Sequence, residues 1–280
     1  ILRVRGNANG GTFFARMTGV ELFRWGRDYI DNENPFAAFD LDECAGAVLT
    51  GCDIDAESAI VGSALAEAGA SVVITGRNPQ RGQHAADTLG PGARLAAVDM
   101  TDTLGLNRLS RDVEPDILVN NAAEFPAALT VDQDESEFDH TFATNVRGLY
   151  FLVAATVPAM IGRGGGAIVN VTSMVATKGV PGASTYSASK AAVESLTRTW
   201  AIEFGQHNIR VNNVAPGPTA TEGVAAEWGE TNDELGRALP LGRTAAPSEI
   251  AEAIVFFATP GAAGVRGNVL RVCGGNLLGA

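Results

Sequence analysis

From Ala45 onward, short apolar runs rich in Val and Ile alternate with longer segments of helical period, and this alternation restricts the fold more than any other feature of the chain. The runs AGAVLT, ASVVITG, ARLAAVD, PDILVNNA, GAIVNVTS, IRVNNVAP and NVLRVCGG are each too short for a buried helix and read as strands. Between them SAIVGSALAEAG, PQRGQHAADTLG, DESEFDHTFATNVRGLYFLVAATVPAMIG, STYSASKAAVESLTRTWAIEFG and PSEIAEAIVFFAT read as helices. Strands alternating with helices need crossover connections, and the right-handed sense of those connections gives a parallel sheet covered on both faces. The expected fold is one α/β domain over residues 41–280, a doubly wound parallel sheet of about seven strands with helices on both faces.

A chain of 280 residues with 46% hydrophobic side chains supplies the core such a domain needs. A net charge of -12 repels polyanions at long range, so neither nucleic acid nor an anionic membrane is an expected partner. Lys178 and Lys190 are the only lysines, which makes a lysine inside a motif more informative than usual. Cys44, Cys52 and Cys273 are an odd number without metal-ligand spacing. They argue for a reducing compartment, most simply the cytoplasm, and against a disulfide framework or a metal site. No window reaches the roughly 18 uninterrupted apolar residues of a membrane span, and no secretory signal is expected.

Residues 1–40 differ: Arg3, Arg5, Arg16, Arg24 and Arg27 stand among scattered aromatics with no sustained period. The segment reads as an extension of unknown role. Its arginine bias suggests a transit peptide, its poverty in serine argues against one, and a start displaced upstream or a cap over a neighbouring subunit are the other readings.

In an open parallel sheet, ligands bind at the carboxyl ends of the strands where strand order reverses. Among those ends, GAIVNVTS closes on Ser173, and thirteen residues later comes Tyr186, with Lys190 four residues further in a helical pattern. That spacing sets Tyr186 and Lys190 on one helix face, one turn apart. A cation there is expected to lower the phenol pKa from its ordinary value near 10 and so make Tyr186 a usable acid and base. Taken alone, such a pair is usually a solvated helix face with a packed ring. Asn145, midway along the longest helical pattern, taken alone fits a packing or helix-bending residue.

The set as a whole resembles the short-chain dehydrogenase/reductase family, in its branch with a YxxxK site, over roughly residues 40–278. The carrying motifs are NNAA at residues 120–123, TNVRG around Asn145, VTS ending in Ser173, YSASK from Tyr186 to Lys190, and NNVAPGPTAT through Pro216, Gly217 and Thr221. The resemblance implies a Rossmann-like fold and reversible hydride transfer between a nicotinamide cofactor and a carbonyl or secondary alcohol. It implies Tyr186 as general acid/base, Ser173 holding the substrate oxygen, Lys190 assisting Tyr186 and binding the nicotinamide ribose, and Asn145 fixing a water in a proton relay. It also implies a homotetramer, or a homodimer, built on the two long helices.

The cofactor loop departs from the family's TGxxxGxG. The stretch LTGCDIDAESAIV keeps Gly51 alone. A gapless alignment puts Asp55 and Glu57 at the other glycine positions, where two carboxylates would face a pyrophosphate. With one inserted residue, Ala56 and Ser58 take those positions, Ser58 is able to cap the helix, and Asp53, Asp55 and Glu57 fall on the outer side or at the helix start. The second alignment is the favoured one, with Gly51, Asp53, Ile54, Ala56 and Ser58 around the cofactor.

Further cofactor positions carried over are Asp99 and Met100 on the adenine side, Asn121, Ala122 and Ala123 along the adenosine, and Pro216, Gly217, Thr219 and Thr221 beside the nicotinamide and pyrophosphate. Arg77 stands where an NAD enzyme carries an acid, and a guanidinium there suits the 2′-phosphate of NADP, so NADP(H) is preferred with NAD(H) as the alternative. Two functions follow from different classes: an NADP(H)-dependent oxidoreductase similar to 3-oxoacyl-acyl-carrier-protein reductases, favoured by the intact Asn145, Ser173, Tyr186 and Lys190, or a cofactor-poor family member serving as a structural or regulatory subunit, favoured by the altered loop.

Overall fold

The computed structural model of the protein describes residues 2–5, 12–15, 47–50, 56–221, 224 and 229–276. The chain divides into two compact units, Ile1–Ala38 and Phe39–Ala280. In the first, β1 (Leu2–Arg5) pairs antiparallel with β2 (Thr12–Ala15). These two strands escaped the sequence reading because four residues are too few to establish a period of two.

The second unit holds β3 (Ala47–Thr50), β4 (Val72–Gly76), β5 (Ala93–Ala97), β6 (Ile117–Asn120), β7 (Gly166–Val171), β8 (Ile209–Pro216) and β9 (Val269–Val272). They form one sheet in the order β5-β4-β3-β6-β7-β8-β9, and every neighbouring pair is parallel. Each coincides with one of the seven apolar runs, and the doubly wound parallel sheet is the expected architecture. The chain winds outward from β3 through β4 to β5, then returns to lay β6 against the other side of β3. That reversal opens a crevice at the carboxyl ends. The register Thr50 opposite Asn120 sets the ends of β3 and β6 side by side.

The period of two along each strand divides its side chains between two cores. Val72, Ile74, Ile117, Val119 and Val169 enter a cluster with Val61 and Leu65 of α1 (Ala56–Glu67) and with Ile250 and Ile254 of α8 (Pro247–Ala258). Val73, Leu118, Ile168 and Val211 face the other way. They meet Leu106 and Leu109 of α3 (Thr103–Val113), Leu152 and Val157 of α5 (Leu149–Arg163), and Val193 and Trp200 of α6 (Ser184–Gly205). Burial on both faces is what makes the central strands β4, β6 and β7 nearly continuously apolar rather than alternating.

After β4, the Asn78 side chain accepts hydrogen bonds from the backbone N–H groups of Gln80 and Arg81, and Pro79 opens α2 (Pro79–Leu89). This cap fixes the turn that carries Arg77. The long helical pattern is not a single α-helix: α4 (Glu135–Phe142) passes into a π-helical segment, Ala143–Gly148, before α5 begins. By length and composition the run Glu135–Arg163 could cross a membrane. Leu149, Leu152, Val153, Val157 and Met160 are instead buried against the sheet, which makes it a core helix. Among the described residues, two α-helices, α3 and α7 (Glu230–Arg237), are not expected from the sequence.

Candidate active site

The π segment sits where Asn145 does. The fully buried Asn145 side chain turns from that segment toward the loop after β6. Its Oδ1 accepts from the backbone N–H of Glu124 and its Nδ2 donates to the Glu124 carbonyl, each at 2.8 Å. The same Nδ2 approaches Ser189 Oγ at 3.0 Å, and Ser189 Oγ donates to the Tyr186 carbonyl at 2.7 Å. One amide thus ties the loop after β6 to the helix that carries Tyr186.

Ser173 and Tyr186 come together as their spacing predicted. Ser173 follows β7 in extended conformation and opens the 3-10 turn Met174–Ala176, with its Oγ accepting from the N–H of Val175. Its side chain is hydrogen-bonded to the Tyr186 hydroxyl. Lys190, one turn along α6, is buried, places Nζ 5.5 Å from the centroid of the Tyr186 ring and donates to the Val171 carbonyl at 2.8 Å. Phe125 packs edge-on against Tyr186 from the other side, with centroids 6.0 Å apart.

The expected lowering of the Tyr186 pKa is reversed. Burial of the hydroxyl pushes it up to about 12, and the hydrogen bond with Ser173 offsets only part of that shift. The Lys190 ammonium lies 5.5 Å from the centre of the ring and donates to the Val171 carbonyl, and desolvation of the phenol prevails.

Of the expected cofactor residues, Gly51, Asp53 and Ile54 lie outside the described residues. Ala56 and Ser58 are the first and third residues of α1, so the helix begins ahead of Ser58 and Ser58 is not its N-cap. Asp99 ends the crevice wall beyond β5. Burial works against its carboxylate, but hydrogen bonds from the Thr101 hydroxyl and N–H, with the charges of Arg77 and His140, outweigh it and hold its pKa below the ordinary value.

Met100 and Ala122 are buried, with Asn121 and Ala123 half-buried beside them. Arg77 reaches Glu124, its Nη1 standing 3.0 Å from Oε1. Across the sheet, Gly217 donates its N–H to the Val272 carbonyl beyond Pro216. A Cβ on Gly217 would come within 2.7 Å of Cys273 Cα, so only glycine passes there. The Thr219 hydroxyl donates to the Gly217 carbonyl, and Thr221 Oγ1 accepts from Val224 N–H.

Sequence reasoning missed Glu124, Phe125, His140 and Ser189. It also missed a buried polar chain beneath the site, in which Asn120 donates to Asn170, Asn170 to Thr197 Oγ1 and Thr197 to Asn213, locking β6, β7, α6 and β8 together. The asparagines inside NNAA, IVNV and VNNV were the signal for it. A cavity of about 580 Å³ lies between the loop after β6 and α4, lined by Glu124, Phe125, Pro126, Ser136, Glu137 and His140.

The donor set suits a nicotinamide dinucleotide. An ionised carboxylate (Asp99), a guanidinium (Arg77) and a buried ammonium (Lys190) surround a switch-point crevice, next to a phenol and a hydroxyl that converge on one point. A parallel sheet with such a crevice and such a group at its carboxyl edge defines a dinucleotide-fold oxidoreductase. The chain belongs to the short-chain dehydrogenase/reductase family and is an enzyme of alcohol and carbonyl groups.

The family model described as "Enoyl-(Acyl carrier protein) reductase" matches residues 58–276. A 3-oxoacyl-acyl-carrier-protein reductase of Chlamydia trachomatis serovar D is 36% identical over 220 residues, which cover 75% of this chain and 89% of that protein. A solved structure described as a short chain dehydrogenase/reductase family protein shares 46% identity with a TM-score of 0.80, covering 86% of this chain and 99% of its own. A gluconate 5-dehydrogenase from Burkholderia cenocepacia J2315, solved with NADP and tartrate, has 28% identity and a TM-score of 0.81, covering 86% of this chain and 98% of its own.

Proposed function

We propose that the protein transfers a hydride between NADP(H) and a carbonyl or secondary alcohol, with Tyr186 as general acid and base. The observation that carries this reading is the convergence of the Ser173 and Tyr186 hydroxyls, joined by a hydrogen bond, with Lys190 buried one turn away. When bound, the nicotinamide supplies or accepts the hydride. In reduction, the substrate carbonyl oxygen gathers negative charge as the hydride adds to its carbon, and donors already in place stabilise that charge without reorganising. Ser173 and Tyr186 are those donors, and Tyr186 delivers its proton to the oxygen to complete the alcohol.

A phenol held at about 12 is fully protonated at neutral pH, which suits the acid role, and the buried Lys190 cation supports the tyrosinate left behind. Arg77 favours NADP(H) over NAD(H), because it offers a guanidinium where an NAD enzyme offers a carboxylate. Assembly as a homotetramer or homodimer is supported by Tyr150, Phe151, Ile161 and Ile202, large apolar side chains left exposed on α5 and α6.

The test is a fluorescence titration with NADPH and NADH, followed by turnover on a panel of ketones and 3-oxoacyl thioesters. Tighter binding of NADPH, and turnover abolished in Tyr186→Phe with cofactor affinity kept, is the expected result. Absence of binding at millimolar cofactor, or activity retained in Tyr186→Phe, overturns the reading.

A further inference from the structure

We propose that Glu124 is an intramolecular competitor of the cofactor for Arg77, so that it tunes the affinity for NADP(H). This rests on the reading of Arg77 as the 2′-phosphate partner. Arg77 directly follows β4, and Glu124 follows β6, whereas β3 lies between those two strands in the sheet. The contact of Arg77 Nη1 with Glu124 Oε1 at 3.0 Å therefore passes over the carboxyl end of β3, across the mouth of the switch-point crevice.

Glu124 is not placed there by a wandering loop. Asn145 holds both its N–H and its carbonyl, so the base of the side chain is fixed. His140, on α4, presents Nε2 3.5 Å from the same Oε1 and is a second neighbour for the carboxylate once Arg77 leaves.

The quality of the contact makes the exchange possible. Oε1 is removed from solvent yet receives no well-directed hydrogen bond, so its 3.0 Å approach to Arg77 Nη1 is an ionic contact. A guanidinium prefers two parallel hydrogen bonds to one anion, and a phosphate monoester with its several oxygens provides them. The 2′-phosphate thus replaces Glu124 at Arg77, and the work of parting the ion pair is subtracted from the binding energy of the cofactor.

The experiment is NADPH titration of the wild type, Glu124→Gln, Glu124→Asp, Arg77→Ala and the Arg77→Ala/Glu124→Gln double variant. A partly exposed ion pair is worth up to about 1 kcal/mol, so Glu124→Gln tightens NADPH about two- to fivefold. Glu124→Asp, which keeps the charge but withdraws it from Arg77, tightens binding in the same direction. In the Arg77→Ala background, Glu124→Gln leaves NADPH affinity unchanged. Equal tightening in that background would mean plain repulsion of the phosphates and overturns the competition, as does wild-type binding that no Glu124 variant improves. If neither the wild type nor any variant binds NADPH, the proposed function falls and this inference with it.

Discussion

The side-chain amide of Asn145 closes a two-bond ring on the backbone of Glu124, accepting from its N–H and donating to its carbonyl, each at 2.8 Å. A residue that serves only to hold a water would be replaceable without cost to the fold, whereas this one links α6, the π segment and the loop after β6. Asn145→Ala leaves buried polar groups unpaired and is expected to destabilise the protein by about 1–3 kcal/mol. Asn145→Asp does at least as much harm, because it aims an ionised carboxylate at the Glu124 carbonyl in place of a donor. Urea unfolding measures both. A loss of turnover at unchanged stability would return Asn145 to a purely catalytic role.

Tyr186 yields a pH prediction whose sign follows from its raised pKa. The unfolded phenol ionises near 10 and the folded one near 12, so the fold favours the protonated form. That contribution to stability is complete below pH 10 and is lost as the pH rises through 12. The phenolate absorbance of the ligand-free wild type minus that of Tyr186→Phe is expected to rise with a midpoint near 12. A midpoint near or below 10 would show Lys190 winning over burial.

What the sequence disclosed, and what it hid, has physical causes. The central strands β4, β6 and β7 were legible because burial on both faces makes them Val- and Ile-rich, whereas β5 and β9 at the sheet edges are only partly buried and carry Arg94 and Arg271 within shorter apolar runs. Ser173, Tyr186 and Lys190 were legible because Ser173 closely follows β7 while Tyr186 and Lys190 lie on the next α-helix, α6, where helical spacing dictates position. Helix α3 was passed over because its sequence TLGLNRLSRDV is mostly polar and only one face, with Leu106 and Leu109, is buried. Glu124, Phe125 and Ser189 act through partners far along the chain, which no local period encodes. The direction of the Tyr186 shift was misjudged for a related reason. Spacing shows that Lys190 is near, but not that its ammonium lies over the ring and is held by Val171.

A second pH effect runs the other way. Arg243 grips Glu249 through two nitrogens at 2.7 and 3.0 Å, and the Ala246 N–H also donates to that carboxylate at the start of α8. These contacts, Arg243 first, depress the Glu249 pKa to about 2. Its stabilisation is therefore present above the ordinary value of 4.5 and disappears as the pH falls through about 2. Because the pair is largely exposed, solvent screening limits the effect to no more than about 1 kcal/mol. Glu249→Gln is expected to cost that much in urea unfolding at neutral pH and nothing near pH 2. An equal cost at both would assign the effect to packing rather than charge.

Gly148 ends the π segment at the point where it touches the loop after β5. A Cβ there would collide with the carbonyl oxygen of Met100 and lie 2.9 Å from its carbonyl carbon. Glycine-to-alanine changes in helices usually gain about 1 kcal/mol through reduced chain entropy and better propensity. Here the obstacle is backbone, which cannot rotate aside as a side chain does, and overpacking of this kind costs about 1–3 kcal/mol or more. The clash wins, so Gly148→Ala lowers the thermal unfolding midpoint. Because Met100 is pushed from beside Asp99, NADPH affinity is expected to fall in the same variant. If alanine is accepted with a raised midpoint and unaltered NADPH binding, the contact between the π segment and the loop after β5 is looser than its geometry requires.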